Sequence, residues 1–214
     1  PLKSAPAEAF RAAMLEGIRK LGLTCLPWTK SLQVWRARVA FIARTFPEQN
    51  WPDVSDTALL AELEGWLGPY LDSVSRRTHL GAIDLHGALT SRLEWAQSKA
   101  LDDLAPTHLE VPTGSRIPLD YEAEGGPSLA VRLQEIFGWR ETPKIAQGRV
   151  PIVVHLLSPA QRPLAVTRDL ESFWRNVYPQ VRGEMRGRYP KHVWPDDPLT
   201  ATPTNRTKRA QTRA

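Results

Sequence analysis

Gly148–Leu199 reads GRVPIVVHLLSPAQRPLAVTRDLESFWRNVYPQVRGEMRGRYPKHVWPDDPL. Val150–Leu157 is a nearly continuous apolar run and predicts a central strand buried on both faces. Ser158–Arg162 contains a proline and predicts a turn, and Leu164–Thr167 predicts a second strand. Leu170, Phe173, Trp174, Val177 and Val181 then give the apolar face of a last helix, with Asp169 or Thr167 placed to cap it. Pro179 sits inside that pattern and should kink the helix or split it in two, because proline has no N–H and crowds the preceding turn.

Upstream, Thr107–Val111 and Arg116–Tyr121 are short strand-like runs on either side of Pro112-Thr113-Gly114-Ser115, which predicts a hairpin. Gly125-Gly126-Pro127 breaks the chain again. Leu129, Leu133, Ile136 and Phe137 share one helical face, so Leu129–Phe137 is expected to be a short helix ended by Gly138. The expected order over residues 106–199 is therefore ββαββα, an α+β subdomain.

Residues 1–105 read as a helical subdomain. Phe10, Ala13, Met14, Gly17, Ile18 and Leu21 recur at helical spacing and Gly22 is a stop. Leu32, Trp35, Val39, Ile42 and Phe46 mark a second face, ended by Pro47. Ser55 is an N-cap before a stripe of Leu59, Leu60, Leu63, Trp66, Leu67, Tyr70 and Leu71. A fourth segment runs through Ile83, Leu85, Leu89 and Leu93, with helix continuing through Trp95 toward Leu104. At the other end, TATPTNRTKRAQTRA (200–214) has no apolar anchor and is basic, so a disordered tail is expected.

Lys/Arg number 28 and Asp/Glu 23, and the excess of +5 is not spread evenly. From Arg162 onward there are eleven Lys/Arg and five Asp/Glu, while the rest of the chain is close to neutral. A polarised charge of this kind points to an anionic partner. Cys25 is the single cysteine, which excludes an internal disulfide and a cysteine-based metal site and fits a reducing, cytoplasmic compartment. No signal peptide and no apolar run near membrane-spanning length is present. The first residue is Pro, which fits a fragment of a longer protein.

Several catalytic chemistries lack their parts. There is no G-x-x-x-x-G-K-[ST] loop to cradle phosphates and no D-E-x-H string to hold magnesium, so no nucleotide or metal cofactor is expected in this chain. His155, Ser158 and Asp169 invite a hydrolase reading, but the serine starts a turn with no glycine-flanked nucleophile elbow. His79 and His86 are seven residues apart without acidic or cysteine partners at ligand spacing.

Cations are the more informative set. Arg168, Arg175 and Arg182 are seven residues apart, with Arg186 one turn further and Arg188 and Lys191 beyond it. On one straight helix they form a stripe, and the planar guanidinium fork suits phosphate. Arg206, Lys208, Arg209 and Arg213 extend the field, and Trp174, Tyr178, Tyr189 and Trp194 are candidate stacking faces for unpaired bases, although Trp174 fits the apolar core face of the helix better. The competing readings are a protein-docking surface, a plain solvated face, or a brace in which the arginines pair with Asp169, Glu171 and Glu184. A partner groove in the helical half would use Trp28, Trp35, Trp51, Trp66 and Trp95. The repeated Trp-Pro-Asp of WPDVSD (51–56) and VWPDDP (193–198) reads as a turn device in which Trp anchors and Asp terminates.

VPIVVHLLSPAQRPLAVTRDLESFWRNVYPQVRGEMRGRYPKHVWPDDP (150–198) resembles the C-terminal end of the HrpB family of bacterial DEAH-box ATP-dependent helicases. LAPTHLEVPTGSRIPLDYEAEGGPSLAVRLQEIFGW (104–139) and LQVWRARVAFIARTFPEQNWPDVSDTALLAELEGWLGPYL (32–71) are similar to the same family. The resemblance implies an accessory, non-motor region of an RNA helicase whose ATP and magnesium sit on motor domains preceding this chain. It implies RNA as a partner, expected to be single-stranded, with the motor domains or another protein as further partners. Arg168, Arg175, Arg182, Arg186, Arg188 and Lys191 are the expected backbone-contact set.

Overall fold

The amide groups of a helix's first turn need acceptors, and polar side chains supply them along the N-terminal half. The computed structural model describes residues 7–71 and 77–207. The chain divides into two compact units, Pro1–Ala105 and Pro106–Ala214. In the first, α1 (Ala7–Leu21) ends at Gly22, whose φ of 77° is the left-handed stop the sequence indicates. Leu15 and Ile18 are its buried positions, whereas Ala13 and Leu21 face solvent, so the expected apolar face is turned slightly.

Thr29 Oγ1 accepts the Leu32 N–H at 3.2 Å to start α2 (Lys30–Thr45), whose Leu32, Trp35, Val39 and Ile42 are buried as expected. Ser55 caps α3 (Asp56–Ala61) through the Ala58 N–H. The stripe beyond it breaks at Glu62 into α4 (Leu63–Leu67) and a 3-10 turn, Gly68–Tyr70, rather than forming one helix. Asp84 caps α5 (Leu85–Thr90), and a reciprocal Glu94/Gln97 capping box starts α6 (Trp95–Leu104) as a separate helix. Leu59, Leu63, Leu67 and Leu89 join Val39 and Ile42 in a core without solvent exposure.

The second unit opens with β1 (His108–Glu110) and β2 (Arg116–Asp120), paired antiparallel around the expected turn, with the Val111 N–H on the Ser115 carbonyl at 3.0 Å. The expected helix over Leu129–Phe137 is corrected. Residues Ser128–Arg132 are strand β3, and only Leu133–Ile136 coil, as a 3-10 turn. Leu129 and Val131 share a face at the strand period, and Leu133 and Ile136 share one at the 3-10 period. The two short periods together imitate a single helical stripe. β3 pairs antiparallel with β2 and parallel with the later segment Val153–Leu157, and this pairing overrides the local pattern.

The apolar run Val150–Leu157 is also divided. β4 (Lys144–Ile145) and β5 (Val150–Pro151) form a small hairpin, Ile152 donates its N–H to the Pro143 carbonyl at 3.0 Å, and β6 (Val153–Leu157) enters the main sheet. β7 (Pro163–Thr167) pairs antiparallel with β6, giving the order β1-β2-β3-β6-β7. The fold is α+β, helical first and then a mixed sheet, with seven strands in the described residues in place of the expected ββαββα order. The expected disorder from residue 200 is corrected for 200–207. Thr204 is buried and its N–H donates to the Gln134 carbonyl at 2.8 Å, while 208–214 lie outside the described residues. No described helix is long and apolar enough to cross a membrane.

Arg38 is 5 % exposed inside the helical unit. It donates to the Ala105 and Leu101 carbonyls at the end of α6 and to the Asp102 carboxylate. Replacing it leaves a buried carbonyl without its donor. Arg38→Met is expected to lower stability by about 2–4 kcal/mol in urea unfolding followed by tryptophan fluorescence.

Candidate nucleic-acid interface

The last helix decides where the expected cations point. Asp169 Oδ1 accepts the Ser172 N–H at 2.9 Å and starts α7 (Leu170–Ser172), while Thr167 Oγ1 bonds the Asp169 main chain. Phe173–Val177 is a π turn, with the Tyr178 N–H reaching back five residues to the Phe173 carbonyl, and α8 (Tyr178–Arg188) carries Pro179 in its first turn. The missing amide of Pro179 is thus absorbed by a wider turn before it, the split that the sequence allows. One extra residue per turn advances the phase by about 100°. Arg175 stands within the π turn and Arg182 beyond it, so the two are not laid out on one straight helix.

Each expected residue then has its own surroundings. Arg168 precedes the helix and donates Nη2 to the Gly125 carbonyl. Gly125 has a φ of 91°, and a Cβ there would lie 2.7 Å from the Arg168 guanidinium. Arg175 is 71 % exposed and pairs with Glu171 at 2.6 Å, a solvent-screened contact. It lines an open cavity of about 610 Å³ with Arg140, Glu141, Glu171, Asp196 and Asp197, so carboxylates outnumber guanidiniums there. Arg182 is half-buried, with Nε on the Trp194 carbonyl at 3.1 Å and Nη2 on Asp196. Asp169 is occupied as a cap, and Glu184 bonds Gln180 at 3.3 Å.

Arg186, Arg188 and Lys191 differ. All three are exposed, and among the described residues none forms an ion pair. They sit at and just beyond the end of α8. The carbonyl end of a helix carries roughly half a negative charge, which favours cations there but offsets only a fraction of three full charges.

The expected stacking faces are corrected. Trp174, Tyr178 and Trp194 are 5 %, 1 % and 6 % exposed. Trp174 Nε1 donates to the Trp139 carbonyl at 2.7 Å, the Tyr178 hydroxyl to the Pro195 carbonyl at 2.8 Å, and Trp194 Nε1 to the Tyr189 carbonyl at 3.0 Å. Trp174 packs edge-on against Phe173 and Tyr178, so these rings are core. Tyr189 alone is half-buried, its hydroxyl 3.5 Å from Ser158 Oγ and its ring edge-on to His192.

Both Trp-Pro-Asp segments act as turn devices. Trp51 is buried and bonds Gln49, and Asp53 accepts the Ser55 N–H at 2.8 Å, which holds its carboxyl below the usual range. Trp194 is buried, with Asp196 on Arg182 and Asp197 on the Leu199 N–H. In the helical unit Trp35, Trp51 and Trp66 are buried and Trp28 lies under the Arg36 guanidinium; Trp95 is 77 % exposed. The groove of five tryptophans is therefore not a surface.

His155 is a half-buried strand residue opposite Val166, and Ser158 is 1 % exposed with its Oγ accepting the Arg162 N–H at 3.0 Å. With Asp169 used as a cap, the three are not assembled for catalysis. His79 and His86 are exposed, and among the described residues no group of three His, Cys, Asp or Glu could hold a metal ion. Sequence reasoning missed Arg38, one of several polar residues on α2 and the one that is buried against the end of α6.

The profile of the ATP-dependent helicase C-terminal family, HrpB_C, matches residues 66–198, and the chain belongs to that family. It is 49% identical over 209 residues to the ATP-dependent RNA helicase HrpB of Escherichia coli (strain K12), covering 98% of this chain and 26% of that protein. It is similar to a crystal structure of the E. coli DExH-box NTPase HrpB, with a TM-score of 0.88 and 49% identity over 97% of this chain and 26% of the other. A second crystal structure, of the Escherichia coli DEAH/RHA helicase HrpB, gives a TM-score of 0.75 and 47% identity over 91% of this chain and 24% of the other. The chain spans about a quarter of the length of these relatives.

Two outcomes separate brace from surface. Arg182→Ala removes a main-chain clamp and is expected to cost about 1–3 kcal/mol in urea unfolding, whereas Arg186→Ala is expected to stay within about 0.5 kcal/mol of wild type. Burial pushes the Tyr178 phenol well above its ordinary value. A raised folded-state value leaves stability intact below about pH 10, where both states are neutral, and removes it above, where only the unfolded chain ionises. Unfolding free energy is expected to fall above about pH 10, and Tyr178→Phe to remove part of that fall.

Proposed function

We propose that this chain is the accessory, non-motor region of a longer ATP-dependent RNA helicase and that it holds RNA by its backbone through the basic end of α8. The observation that carries the reading is that Arg186, Arg188 and Lys191 are exposed without a carboxylate partner among the described residues. Every other cation of the expected set already has an acceptor. Arg168 and Arg182 are reassigned to holding the fold, and Arg175 is a secondary contact beside acidic neighbours. RNA enters from the name of the relative, an ATP-dependent RNA helicase.

ATP and magnesium are assigned to the part of such a helicase outside this chain. The sequence has no phosphate-cradling loop with its lysine, and the described residues hold no carboxylate or imidazole cluster suited to a metal. The chain is thus proposed to add grip and not hydrolysis, in the cytoplasm where such a helicase meets RNA.

One observation favours docking as a second reading. Trp95 is 77 % exposed at the start of α6, with the Lys99 ammonium 5.3 Å from its ring centre. An exposed tryptophan of this kind suits a contact with motor domains or a partner protein.

Binding of the 214-residue chain to labelled single-stranded RNA across a salt series separates the two. Three phosphate contacts predict a log–log slope of about −2. The Arg186→Ala/Arg188→Ala/Lys191→Ala variant is expected to flatten it by about 2, while Arg175→Ala changes it by about 0.7 or less. Absence of binding by wild type at low salt transfers the function to docking.

A further inference from the structure

We propose that Arg162, on the turn between β6 and β7, forms one surface with Arg186, Arg188 and Lys191, and that this surface grips the phosphodiester backbone without stacking or reading bases. The proposal rests on the RNA-backbone reading above and deepens it by adding a residue and fixing the part of the nucleic acid recognised.

The turn that carries Arg162 is tightly tied. The Ser158 N–H bonds the Arg162 carbonyl at 2.8 Å, and the Arg162 N–H bonds Ser158 Oγ at 3.0 Å. Gln161 sits at a φ of 59°, a left-handed conformation that closes the loop. The main chain of Arg162 is therefore fixed while its side chain is exposed. The Tyr189 hydroxyl lies 3.5 Å from the same Ser158 Oγ. That one serine touches both the hairpin turn and the end of α8.

Tyr189 is fixed in turn. Its N–H bonds the Met185 carbonyl at 2.7 Å, and its carbonyl accepts Trp194 Nε1 and, at 3.1 Å, the His192 N–H. Arg186 stands in the last turn of α8, which Tyr189 closes as its C-cap. Arg188 is its neighbour in the chain and Lys191 follows in the anchored loop. The Ser158–Tyr189 contact thus sets the turn that carries Arg162 beside the end of α8, and among the described residues Arg162, Arg186, Arg188 and Lys191 are exposed and none forms an ion pair.

What surrounds them defines the ligand. Trp174, Tyr178 and Trp194 are buried, and Tyr189 has its hydroxyl on Ser158 and its ring against His192. Three of these four rings are buried and the fourth is half-buried, which favours phosphates over bases as the ligand. A rigid array of cations without stacking platforms matches a chain of phosphates and is indifferent to the bases it carries.

The test uses the 214-residue chain, a fluorescent single-stranded RNA, and an abasic ribose-phosphate oligomer of equal length. Wild type is expected to bind both with affinities within about threefold, since loss of even one stacked base costs about fivefold or more. With Arg162 added to the three contacts counted above, its salt slope should steepen from about −2 to about −3, and Arg162→Ala should reduce the slope by about 0.7 with either ligand while Arg162→Lys restores it. Abasic binding weaker by more than about threefold overturns the backbone-only recognition. A slope unchanged in Arg162→Ala, with RNA still bound, removes Arg162 from the surface. Failure of wild type to bind either oligomer overturns the RNA reading itself, a result distinct from both.

Discussion

Pro179 lacks the amide that a regular helix would use, and much of the C-terminal architecture follows from how that gap is filled. A π turn precedes it, and the phase change sends Arg182 inward toward the Trp194 carbonyl and Asp196. The same shift seats Tyr178 in the core with its hydroxyl on the Pro195 carbonyl. Helix and following loop are joined by these two bonds, and the loop returns past Gly138, whose N–H meets the Pro198 carbonyl at 2.9 Å, to bury Thr204. A straight helix would place these groups elsewhere and leave the loop without anchors.

Arginine has two employments in this chain. Arg36, Arg38, Arg168 and Arg182 each donate to a main-chain carbonyl, those of Val54, Ala105, Gly125 and Trp194. Non-helical segments carry carbonyls that no ladder satisfies, and a long side chain with five donors reaches them at modest cost. Proline and irregular turns are abundant here, so the demand for such donors is high. Arg162, Arg186, Arg188 and Lys191, on the β6–β7 turn and at the end of α8, are instead exposed without an ion pair among the described residues.

Much was legible because it rested on local chemistry. Ser55, Asp169 and Gly22 cap or stop helices by rules that need only near neighbours. The turn at Pro112–Ser115 was set by its own residues, as was the role of tryptophan in the two Trp-Pro-Asp segments. The strand β3 was not legible, because Leu129, Leu133, Ile136 and Phe137 fit a helical period as well as a strand followed by a 3-10 turn. Only partners about 25 residues later, on β6, decide between them. The stacking role given to Trp174, Tyr178 and Trp194 failed for a related reason. A sequence shows that a ring is present but not which side of it the rest of the chain covers.

The sequence alone determined the class of fold, the capped helices, the separation of helical and sheet-forming segments, and the concentration of positive charge from Arg162 onward. Each of these is a property of composition or of residues within a turn of one another. Tertiary structure decided which arginines are spent on carbonyls and which remain exposed. It also brought the turn at Arg162 beside the end of α8 through Ser158 and Tyr189, residues 31 apart in the chain. Such contacts depend on helix phase and strand register, and neither is fixed until distant segments pack together.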